Sequence, residues 1–433
     1  MLHYAHNVID PLRRSFSQST IEGLRAIIQS NIKAQFNPKN IIFRNSVAQN
    51  TITRKPHKHS VSFVIPCLNE EKVLPYVLTK IKHLQDNVLT DRRVEIIVSD
   101  NGSTDRSVEV AESFGARVIH CPQRGYGAAL QCGIYGAECE AVIFADADDT
   151  YDFLEAPTLL HKLDEGYEIV LGSRLQGTVH EGAMPFLHRY IGTPVLTWLI
   201  NTLYAKGDYR LTDCNSGFRC FRKDAFMRWG VKSPGMEFAS EMIVKVMKSG
   251  ADITEVPASL SPDKPGRHPH LRTWRDGMRH LLQIVLESPE LFNTVGSTLW
   301  LASWLVLLVG LATGPVSVGI FSVLGIHTMM FALLGSIFGL AFWAVGLFIS
   351  AKHPSSVRLY TTFNAWQEDR LFWFSFWFGA LSVAFLLAIV VRWGMGGFAN
   401  LALERETLAV IAFGANGILL VANVLTAHLI KRL

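Results

Sequence analysis

Four apolar stretches in the last third of the sequence constrain the fold of this chain more than any other feature. They cover about residues 297–314, 327–350, 371–391 and 407–429. Each approaches the roughly 20 residues that a helix needs to span a bilayer. Because lipid offers the backbone no hydrogen-bond partners, segments of this kind cross it as helices. We therefore expect a four-helix transmembrane region over residues 297–433.

The connections between these stretches carry basic residues mainly on one side. Four crossings would place five basic residues on one side and two on the other: Lys352, Arg358, Arg370, Lys431 and Arg432 against Arg392 and Arg405. Basic loops are typical of the cytoplasmic face of a membrane protein. We expect a multi-pass protein of the cell inner membrane whose catalytic part, before residue 297, is cytoplasmic.

The residues before the first apolar stretch divide into three parts. The whole chain is 49% hydrophobic and carries a net charge of +4. Residues 1–59 hold nine basic and two acidic residues, so this extension carries +7 and leaves −3 for the rest. Its apolar residues recur at helical spacing from Ile21 to Ile32, which predicts one amphipathic helix. We expect a basic extension over 1–59, a soluble domain over 60–277 and an amphipathic juxtamembrane segment over 278–296.

Strand and helix patterns alternate through the first part of the soluble domain. Short apolar runs predict buried parallel strands at about 61–66, 94–99, 117–121 and 141–145. Helical patterns lie between them, ending near Lys82 and covering about 106–114 and 128–136. This alternation predicts an α/β fold with a doubly wound, mostly parallel sheet. Ligands of such sheets bind at the carboxyl ends of the strands.

The sharpest chemical feature is Asp146-Ala147-Asp148, which directly follows the predicted strand 141–145. Two carboxylates at positions i and i+2 of a turn can converge on one hard cation and on a diphosphate that it carries. The alternative is an ordinary acidic turn, since aspartate is common in turns. The position at the end of a strand favours a site for Mg²⁺ or Mn²⁺.

Polar motifs also follow the first two predicted strands. Asn69-Glu70-Glu71 follows the first strand, and a Ser-Asp-Asn-Gly-Ser-Thr-Asp motif that contains Asp100 follows the second. Asp100 is placed to accept hydrogen bonds from a base or a ribose. Helix capping for the first motif and turn chemistry for the second are the structural alternatives. We expect the two motifs to form the walls of a nucleoside-binding slot.

Two further motifs have both a ligand-binding and a structural interpretation. In Arg124-Gly-Tyr-Gly-Ala-Ala, Gly125 could bring the backbone close to an anion at a helix N-terminus, or only form a turn. The stretch 262–275 is rich in cations, namely Arg267, His268, Arg272 and Arg275. These side chains suit the diphosphate of a donor and equally the headgroups of a membrane.

Six cysteines are scattered through the soluble domain: Cys67, Cys121, Cys132, Cys139, Cys214 and Cys220. They form no Cys-x-x-Cys pair and have no zinc-type spacing to a histidine. Scattered thiols are typical of a reducing, cytosol-facing compartment. We expect them to be separate structural thiols of the core.

Taken in order, six motifs resemble the family-2 glycosyltransferases of the GT-A fold: VIPCLNEE, SDNGSTD, RGYGAAL, DADDTYD, LGSR and TDCNSGFR. More narrowly, they resemble the polyprenyl-phosphate sugar transferases, which include dolichyl-phosphate mannose synthase and dolichyl-phosphate glucosyltransferase. The resemblance covers about residues 61–282 and implies a Rossmann-like GT-A catalytic domain. It implies Mg²⁺ or Mn²⁺, a nucleotide-sugar donor and a polyprenyl-phosphate acceptor at the membrane. We expect no nucleic-acid partner, and related enzymes are often homo-oligomers.

The resemblance also implies roles for the residues that match the family motifs. Pro66, Asn69, Glu70, Asp100 and Asp146 would bind the donor, and the motifs described above add Gly125 and Arg267. The acceptor-binding set would be Arg174, Arg189, Ser216 and Arg219. The metal ligands would be Asp146 and Asp148, which with Arg174 and Asp213 make up the catalytic set.

Two positions depart from the family pattern. Asn101 stands where the family often has aspartate, and Gly192 stands where mannose synthases often have serine. The QxxRW string of the processive polysaccharide synthases does not occur in this sequence. Its absence argues against the building of cellulose-type or hyaluronan-type chains.

A phosphate acceptor determines what the protein must supply. The second pKa of a phosphate monoester is about 6, so the acceptor is largely dianionic at neutral pH and needs no general base. We expect inverting transfer of a hexose from a UDP-glucose or GDP-mannose type of donor. Two alternatives are a membrane glycosyltransferase with a glycan or other non-polyprenyl acceptor, and a non-catalytic transporter or flippase subunit.

Overall fold

A seven-stranded sheet forms the framework of the soluble part of the protein. A computed structural model describes residues 60–264, 273–318, 321–352, 368–396 and 404–432. The sheet strands are β1 (Ser60–Cys67), β2 (Arg93–Asp100), β3 (Arg117–His120), β4 (Ala141–Phe144), β5 (Ile169–Ser173), β6 (Arg219–Arg222) and β7 (Ile253–Pro257). Their spatial order is β3-β2-β1-β4-β6-β5-β7. Only β6 runs antiparallel to its neighbours in this sheet.

Seven helices connect these strands. They are α1 (Leu74–His83), α2 (Ser107–Ser113), α3 (Tyr126–Gly136), α4 (Ala156–Asp164), α5 (Thr193–Tyr204), α6 (Lys223–Trp229) and α7 (Phe238–Ser249). Two π-helical turns, Leu84–Val88 and His188–Gly192, follow α1 and precede α5. A short 3₁₀ turn, Phe153–Glu155, precedes α4.

Alternating side chains of β1 fill two separate cores, one on each face of the sheet. Val61, Phe63 and Ile65 pack into the first core, and Val64 packs into the second. Successive side chains of a strand point to opposite faces, so both faces of β1 are covered. This is why the strand is apolar almost throughout and does not alternate with polar residues. The mostly parallel sheet that the sequence predicts is confirmed, whereas nothing in the sequence pattern indicated the antiparallel β6.

The carboxyl ends of β1, β2 and β4 lie at one edge of the sheet. β1 pairs in parallel with β2, which places Cys67 beside Asp100. β1 also pairs in parallel with β4, and β4 ends at Phe144, two residues before Asp146. The motifs that follow these three strands are therefore neighbours in space.

In the described residues, five long helices follow the sheet. They are α8 (Thr273–Leu286), α9 (Pro289–Thr313), α10 (Ile326–Lys352), α11 (Glu368–Met395) and α12 (Glu404–Arg432). The last four are long and apolar enough to cross a membrane, judged by length and composition. A two-stranded hairpin of β8 (Val316–Val318) and β9 (Phe321–Val323) joins α9 to α10. The basic extension 1–59, with its predicted amphipathic helix, lies outside the described residues.

Small residues bring α9 and α10 into close contact. A Cβ atom on Gly296 would lie 2.5 Å from the backbone nitrogen of Trp343, and one on Gly339 would lie 2.7 Å from that of Trp300. Asn416 of α12 joins the pair, since its side-chain oxygen accepts a hydrogen bond from the Trp300 indole at 2.9 Å. Its amide nitrogen donates to Ser336 at 3.0 Å. A polar contact of this kind inside an apolar bundle holds the helices in register.

One expectation about the cysteines is wrong. Cys121, which follows β3, and Cys132 of α3 form a disulfide bond with their Cα atoms 5.9 Å apart. The other four cysteines are buried free thiols, as predicted: Cys67, Cys139, Cys214 and Cys220. The spacing of the sequence could not indicate the pair, because β3 and α3 meet only in the folded domain.

Candidate active site

Hydrogen bonds tie the loop after β1 to the loop after β2. Asn69 has a left-handed backbone conformation, with φ of 58°. Its backbone N–H donates to the Ser103 hydroxyl at 3.0 Å, and its side-chain oxygen accepts from the backbone N–H of Thr104 at 2.7 Å. The buried Glu70 donates its N–H to Ser107 at 2.8 Å. The two predicted donor-binding residues Asn69 and Glu70 therefore connect the loop after β1 to the loop after β2.

Asp100 is the last residue of β2 and lies at the same edge of the sheet as these loops. Its carboxylate accepts a hydrogen bond from the backbone N–H of Ser103 at 2.8 Å and contacts Nδ1 of His120 at 3.1 Å. Burial acts to raise the pKa of Asp100, but these hydrogen bonds outweigh it and lower the pKa below its ordinary value. Asp100 is therefore an ionised acceptor at neutral pH. Pro66 of β1, which pairs with Ser99 of β2, is buried.

The hydrogen bonds of Asn101 give a reason for asparagine at this position, where the family often has aspartate. Its side-chain amide nitrogen donates to the Gln123 carbonyl at 2.7 Å, and its side-chain oxygen accepts from the N–H of Gly125 at 2.8 Å. Arg124 donates to the Asn101 carbonyl at 2.6 Å. An amide meets both demands at once, whereas a carboxylate has no donor for Gln123. Asn101 thus fixes the Arg-Gly-Tyr-Gly loop to the end of β2.

Replacing Asn101 by aspartate is therefore expected to destabilise the domain by about 1–3 kcal/mol at neutral pH, the cost of an unsatisfied buried polar group. The charge would face a carbonyl in a buried place, so the pKa of the new carboxyl would be raised. Its protonated form can donate to Gln123, so the loss should shrink as the pH falls through that raised pKa. Thermal unfolding of both proteins between pH 4 and pH 8 checks this. Equal stability across the range would contradict it.

The glycines of the Arg-Gly-Tyr-Gly loop allow contact with another backbone segment. Gly125 has φ of 135°, and a Cβ there would lie 2.2 Å from the Pro234 carbonyl oxygen. The N–H groups of Gly127 and Ala128 donate to the carbonyls of Gly235 and Pro234 at 3.2 and 3.0 Å. These amides at the start of α3 are thus already hydrogen-bonded. The structure favours the structural interpretation of Gly125 over direct binding of an anion.

The same loop delivers a side chain to Asp146 that the motif analysis missed. The Tyr126 hydroxyl hydrogen-bonds Asp146, and burial together with that carboxylate raises the tyrosine pKa well above its ordinary value. Gly217 lies on another side of Asp146, where a Cβ would come within 2.9 Å of Oδ2. Gly217 also donates its N–H to the Tyr151 hydroxyl at 2.8 Å. Tyr126 therefore holds the Asp146 carboxylate, and the absence of a side chain at Gly217 leaves room for it.

Asp148 is buried and forms a local turn. Its Oδ1 accepts hydrogen bonds from the backbone N–H and the hydroxyl of Thr150, at 3.1 and 2.7 Å. Among the described residues, no group of three or more His, Cys, Asp or Glu could hold a metal ion unaided. Mg²⁺ commonly uses one or two carboxylates and takes its remaining ligands from water and substrate phosphates. Asp146 and Asp148 fit a cation site of that kind, which a diphosphate would complete.

Arg174 and Asp213 form a bidentate ion pair. The guanidinium donates to both carboxylate oxygens at 2.7 Å, and Asp213 is completely buried. Burial acts to lower the pKa of Arg174, but the surrounding charges, Asp213 among them, outweigh it and raise the pKa. The Asp213 N–H donates to Glu255 of β7 at 3.0 Å. The two predicted catalytic residues are thus brought together, with Asp213 holding Arg174.

Ser216 and Arg219 are fully buried beneath this pair. Ser216 donates its hydroxyl to the Gly172 carbonyl. Arg219 donates to three backbone carbonyls: those of Cys214, Ser216 and Ala239. Their observed partners are backbone groups, and the acceptor-binding role of the two side chains stays a prediction. Both build the loop that carries Asp213 and Gly217.

Arg189 lies in the π-helical turn before α5, and its guanidinium sits 5.4 Å from the ring centre of Tyr190. The turn approaches Arg174 through His188, whose pKa is lowered by burial and by the Arg174 charge. Arg189 is therefore the neighbour in sequence of a residue that senses the Arg174 charge, and its predicted role at the acceptor phosphate stays a prediction. Arg267, the remaining predicted donor-binding residue, lies outside the described residues, whereas Arg275 lies in the first turn of α8 and is exposed.

Comparison with known proteins agrees with the motifs. The family described as "Glycosyl transferase family 2" matches residues 62–230. The low-salt glycan biosynthesis hexosyltransferase Agl6 of Haloferax volcanii is 33% identical over 316 residues, covering 72% of this chain and 73% of that protein. A dolichyl-phosphate hexose transferase of the same organism is 30% identical over 199 residues, covering 46% of this chain and 81% of that protein.

A solved structure, glucosyl-3-phosphoglycerate synthase from Mycobacterium tuberculosis, is 21% identical and has a TM-score of 0.43. It covers 53% of this chain and 80% of the synthase chain. The similarity to Agl6 extends over nearly three quarters of both proteins. This chain belongs to glycosyl transferase family 2.

Proposed function

We propose that this protein transfers a hexose from a nucleotide-sugar to a polyprenyl phosphate, with inversion at the anomeric carbon. Family membership supports glycosyl transfer, and the relative named as a dolichyl-phosphate hexose transferase supports a lipid phosphate as the acceptor. The observation that carries the choice of acceptor is an apolar surface beside the site.

This surface lies on the π-helical turn and on α5. Five large apolar side chains are exposed within thirteen residues: Phe186, Tyr190, Ile191, Val195 and Trp198. Trp198 is 65% exposed, although a tryptophan in a soluble domain is normally mostly buried. The other face of α5 packs into the second core through Leu196, Ile200 and Tyr204, so the exposed residues are additional to the core. Exposed apolar patches of this kind mark sites of contact with a membrane or another protein.

α8 carries a second exposed apolar stripe, at a spacing of four residues: Trp274, Met278, Leu282 and Leu286. Tyr204 of α5 donates its hydroxyl to the Ile284 carbonyl of α8 at 2.5 Å, and Ser240 of α7 pairs with His280 at 2.7 Å. Burial lowers the pKa of His280 to about 4, so it is neutral at physiological pH. α8 therefore belongs to the soluble domain, and α9, the first candidate span, follows it after two residues.

The apolar surface adjoins the arginines predicted for the acceptor. Arg189 lies in the same turn as Tyr190, and Thr197 of α5 accepts a hydrogen bond at 3.2 Å from the N–H of Cys214, the residue after the Arg174 partner Asp213. A prenyl phosphate has a tail that stays in hydrocarbon and a dianionic headgroup at the interface. Guanidinium groups beside an interfacial surface suit that headgroup, since their donors match phosphate geometry.

The donor is proposed to lie along the ends of β1, β2 and β4. Asp100 accepts hydrogen bonds from the nucleoside, and Pro66, Asn69 and Glu70 shape its slot. A divalent cation on Asp146 and Asp148 offsets the charge that develops on the departing diphosphate when it is bound.

In the proposed reaction, an oxygen of the acceptor phosphate forms a bond to the anomeric carbon as the bond from that carbon to the diphosphate oxygen breaks. Because the acceptor is already ionised, the protein needs no proton-accepting base. Arg174 and Arg189 align the attacking oxygen, and Asp213 holds Arg174 in place. Positioning and electrostatics then supply the rate.

We propose that the catalytic domain faces the cytoplasm of the cell inner membrane and that all four candidate helices span it. The distribution of Lys and Arg between the apolar stretches supports this orientation. The disulfide between Cys121 and Cys132 offers an independent check, since disulfides persist mainly in oxidising compartments. The disulfide counts against the cytoplasmic orientation, and rapid alkylation in cells decides the question: reduced thiols would support that orientation, and an oxidised pair would favour the opposite one.

The function is tested with the full chain in lipid nanodiscs, a panel of nucleotide-sugars, Mn²⁺ and a short polyprenyl phosphate. The expected product is the lipid phosphate heavier by one hexose, with inverted anomeric configuration. Transfer to a soluble glycan but not to the lipid phosphate would support the glycan-acceptor alternative. Nucleotide binding without transfer to any acceptor would point to a non-catalytic subunit.

Arg189→Ala is expected to raise the KM for polyprenyl phosphate by about tenfold to a hundredfold, while the KM for the donor changes little. The reason is the loss of a charge-assisted hydrogen bond worth about 1.5–3 kcal/mol. Initial rates over a range of acceptor concentrations measure the effect.

Arg210→Ala is the matched control, because Arg210 is another partly solvent-facing arginine whose guanidinium donates to the Gly207 and Tyr209 carbonyls. It should leave the dependence on acceptor unchanged. An acceptor KM in Arg189→Ala equal to that of the wild type would exclude Arg189 from the phosphate site.

A further inference from the structure

Asp149 directly follows the two carboxylates assigned to the cation, yet its own carboxylate is directed elsewhere. Its backbone has φ of 59°, a left-handed conformation that costs energy for any residue with a side chain. Its side chain is only 3% exposed. A buried, charged residue in a strained turn persists only when its surroundings hold it there.

Two lysines from different parts of the fold hold this carboxylate. Lys80 of α1 places its ammonium 2.8 Å from Oδ1, and Lys264, which follows β7, places its ammonium 3.2 Å from Oδ2. Lys264 also lies 5.4 Å from the ring centre of Tyr76 on α1. Asp149 is thus the common partner of two cations from segments that are far apart in sequence.

The backbone reinforces the same junction. Ser261 donates its N–H to the Thr150 carbonyl at 2.8 Å, and Leu260 forms an antiparallel bridge with Tyr151. The segment 260–264 therefore runs beside the turn that contains Asp148. The ion pairs of Asp149 connect this turn to Lys80 of α1 and to Lys264 at the end of the segment.

We propose that Asp149 is a positioning residue for the cation site of Asp146 and Asp148. Its clamp by Lys80 and Lys264 holds the left-handed turn and thereby sets where the two carboxylates point. The lysines also neutralise Asp149, so that the negative charge of the turn is concentrated on Asp146 and Asp148. This inference rests on the proposed function only in assigning a divalent cation to those two residues.

The test measures Mn²⁺ binding to the full chain in nanodiscs, in the presence of UDP, by electron paramagnetic resonance. Asp149→Asn keeps the tolerance for a left-handed backbone but loses both ion pairs, and Asp149→Gly does the same without a side chain. Both variants are expected to weaken Mn²⁺ binding at least tenfold. Asp164→Asn, which removes an aspartate paired with Arg92 elsewhere in the domain, is the control and should change it less than twofold.

Lys264→Met separates positioning from a simple effect of charge, and its side chain is 41% exposed, so the fold should tolerate the change. Removing a positive charge near the site would by itself strengthen Mn²⁺ binding. If Lys264 positions the turn through Asp149, binding should instead weaken by several fold, and excess Mn²⁺ should restore turnover. Thermal unfolding of each variant shows whether it is folded.

The outcomes separate this inference from the proposed function. Wild-type Mn²⁺ affinity in folded Asp149→Asn, or unchanged or tighter binding in Lys264→Met, would overturn the positioning role while leaving the transferase intact. The opposite result is that the wild-type protein makes no glycolipid, while Asp149→Asn still weakens Mn²⁺ binding. That result would overturn the proposed function and leave the positioning role of Asp149 intact.

Discussion

Asp148→Ala is expected to lower the rate of hexose transfer by about a thousandfold. A cation at the departing diphosphate is worth several kcal/mol in the transition state, and each 1.36 kcal/mol corresponds to tenfold in rate. The structure adds a second reason, since Asp148 Oδ1 also holds the backbone N–H and the hydroxyl of Thr150. Single-turnover transfer to polyprenyl phosphate at saturating donor measures the loss.

Two further variants distinguish the loss of the cation ligand from the loss of the hydrogen bonds to Thr150. Asp148→Asn keeps an oxygen that can accept from Thr150 but removes the charge, so it should lose nearly as much activity as the alanine variant. Thr150→Val removes only the hydroxyl contact, and we expect a loss of less than about tenfold, the value of one hydrogen bond. Near-normal transfer by Asp148→Ala would exclude the assigned cation site.

Asp213→Ala is expected to destabilise the soluble domain by about 3–5 kcal/mol, because it leaves the Arg174 charge half-buried without its partner. The Asp213 carboxylate also accepts from the backbone N–H groups of Arg174 and Asn215, at 3.1 and 3.2 Å. Loss of all these contacts should lower the unfolding temperature strongly and abolish transfer. Unfolding in urea together with the transfer assay checks both parts.

The double variant Arg174→Met with Asp213→Leu distinguishes stability from function. Replacing both members of a buried pair by apolar groups is often close to neutral for stability. We therefore expect the double variant to recover much of the lost stability without recovering use of the acceptor. Recovery of activity as well would show that Arg174 has no part in binding the acceptor phosphate.

Much of the fold could be predicted because it depends on local patterns. The run from Val61 to Pro66 is apolar almost throughout, and such a run predicts a strand that is covered on both faces. The four apolar stretches predicted helices, and helices α9 to α12 contain them. The motifs after β1, β2 and β4 could be placed at one edge, since parallel strands end on the same side.

Less of the site than of the fold could be predicted from the sequence. The type of a residue indicates which chemistry it can carry out, but not which other residues it contacts. Asp146 and Asp148 could be singled out from their spacing, and the arginines from their likeness to family motifs. The donation of Gly125 to Asn101, the pairing of Arg174 with Asp213 and the burial of Arg219 could not. Each of these decides whether a predicted residue faces a ligand or supports the residue that does.

The sequence by itself determined the first four strands of the sheet with the helices between them, the apolar helices and the carboxylates that suit a cation. Only the tertiary structure decided which side chains surround those carboxylates, such as Tyr126 and the two lysines of Asp149, and that α5 exposes an apolar surface. The reason is physical. Periodicity records whether a residue faces the interior or the surface, whereas its partner comes from a segment that only the packing of the whole domain brings near.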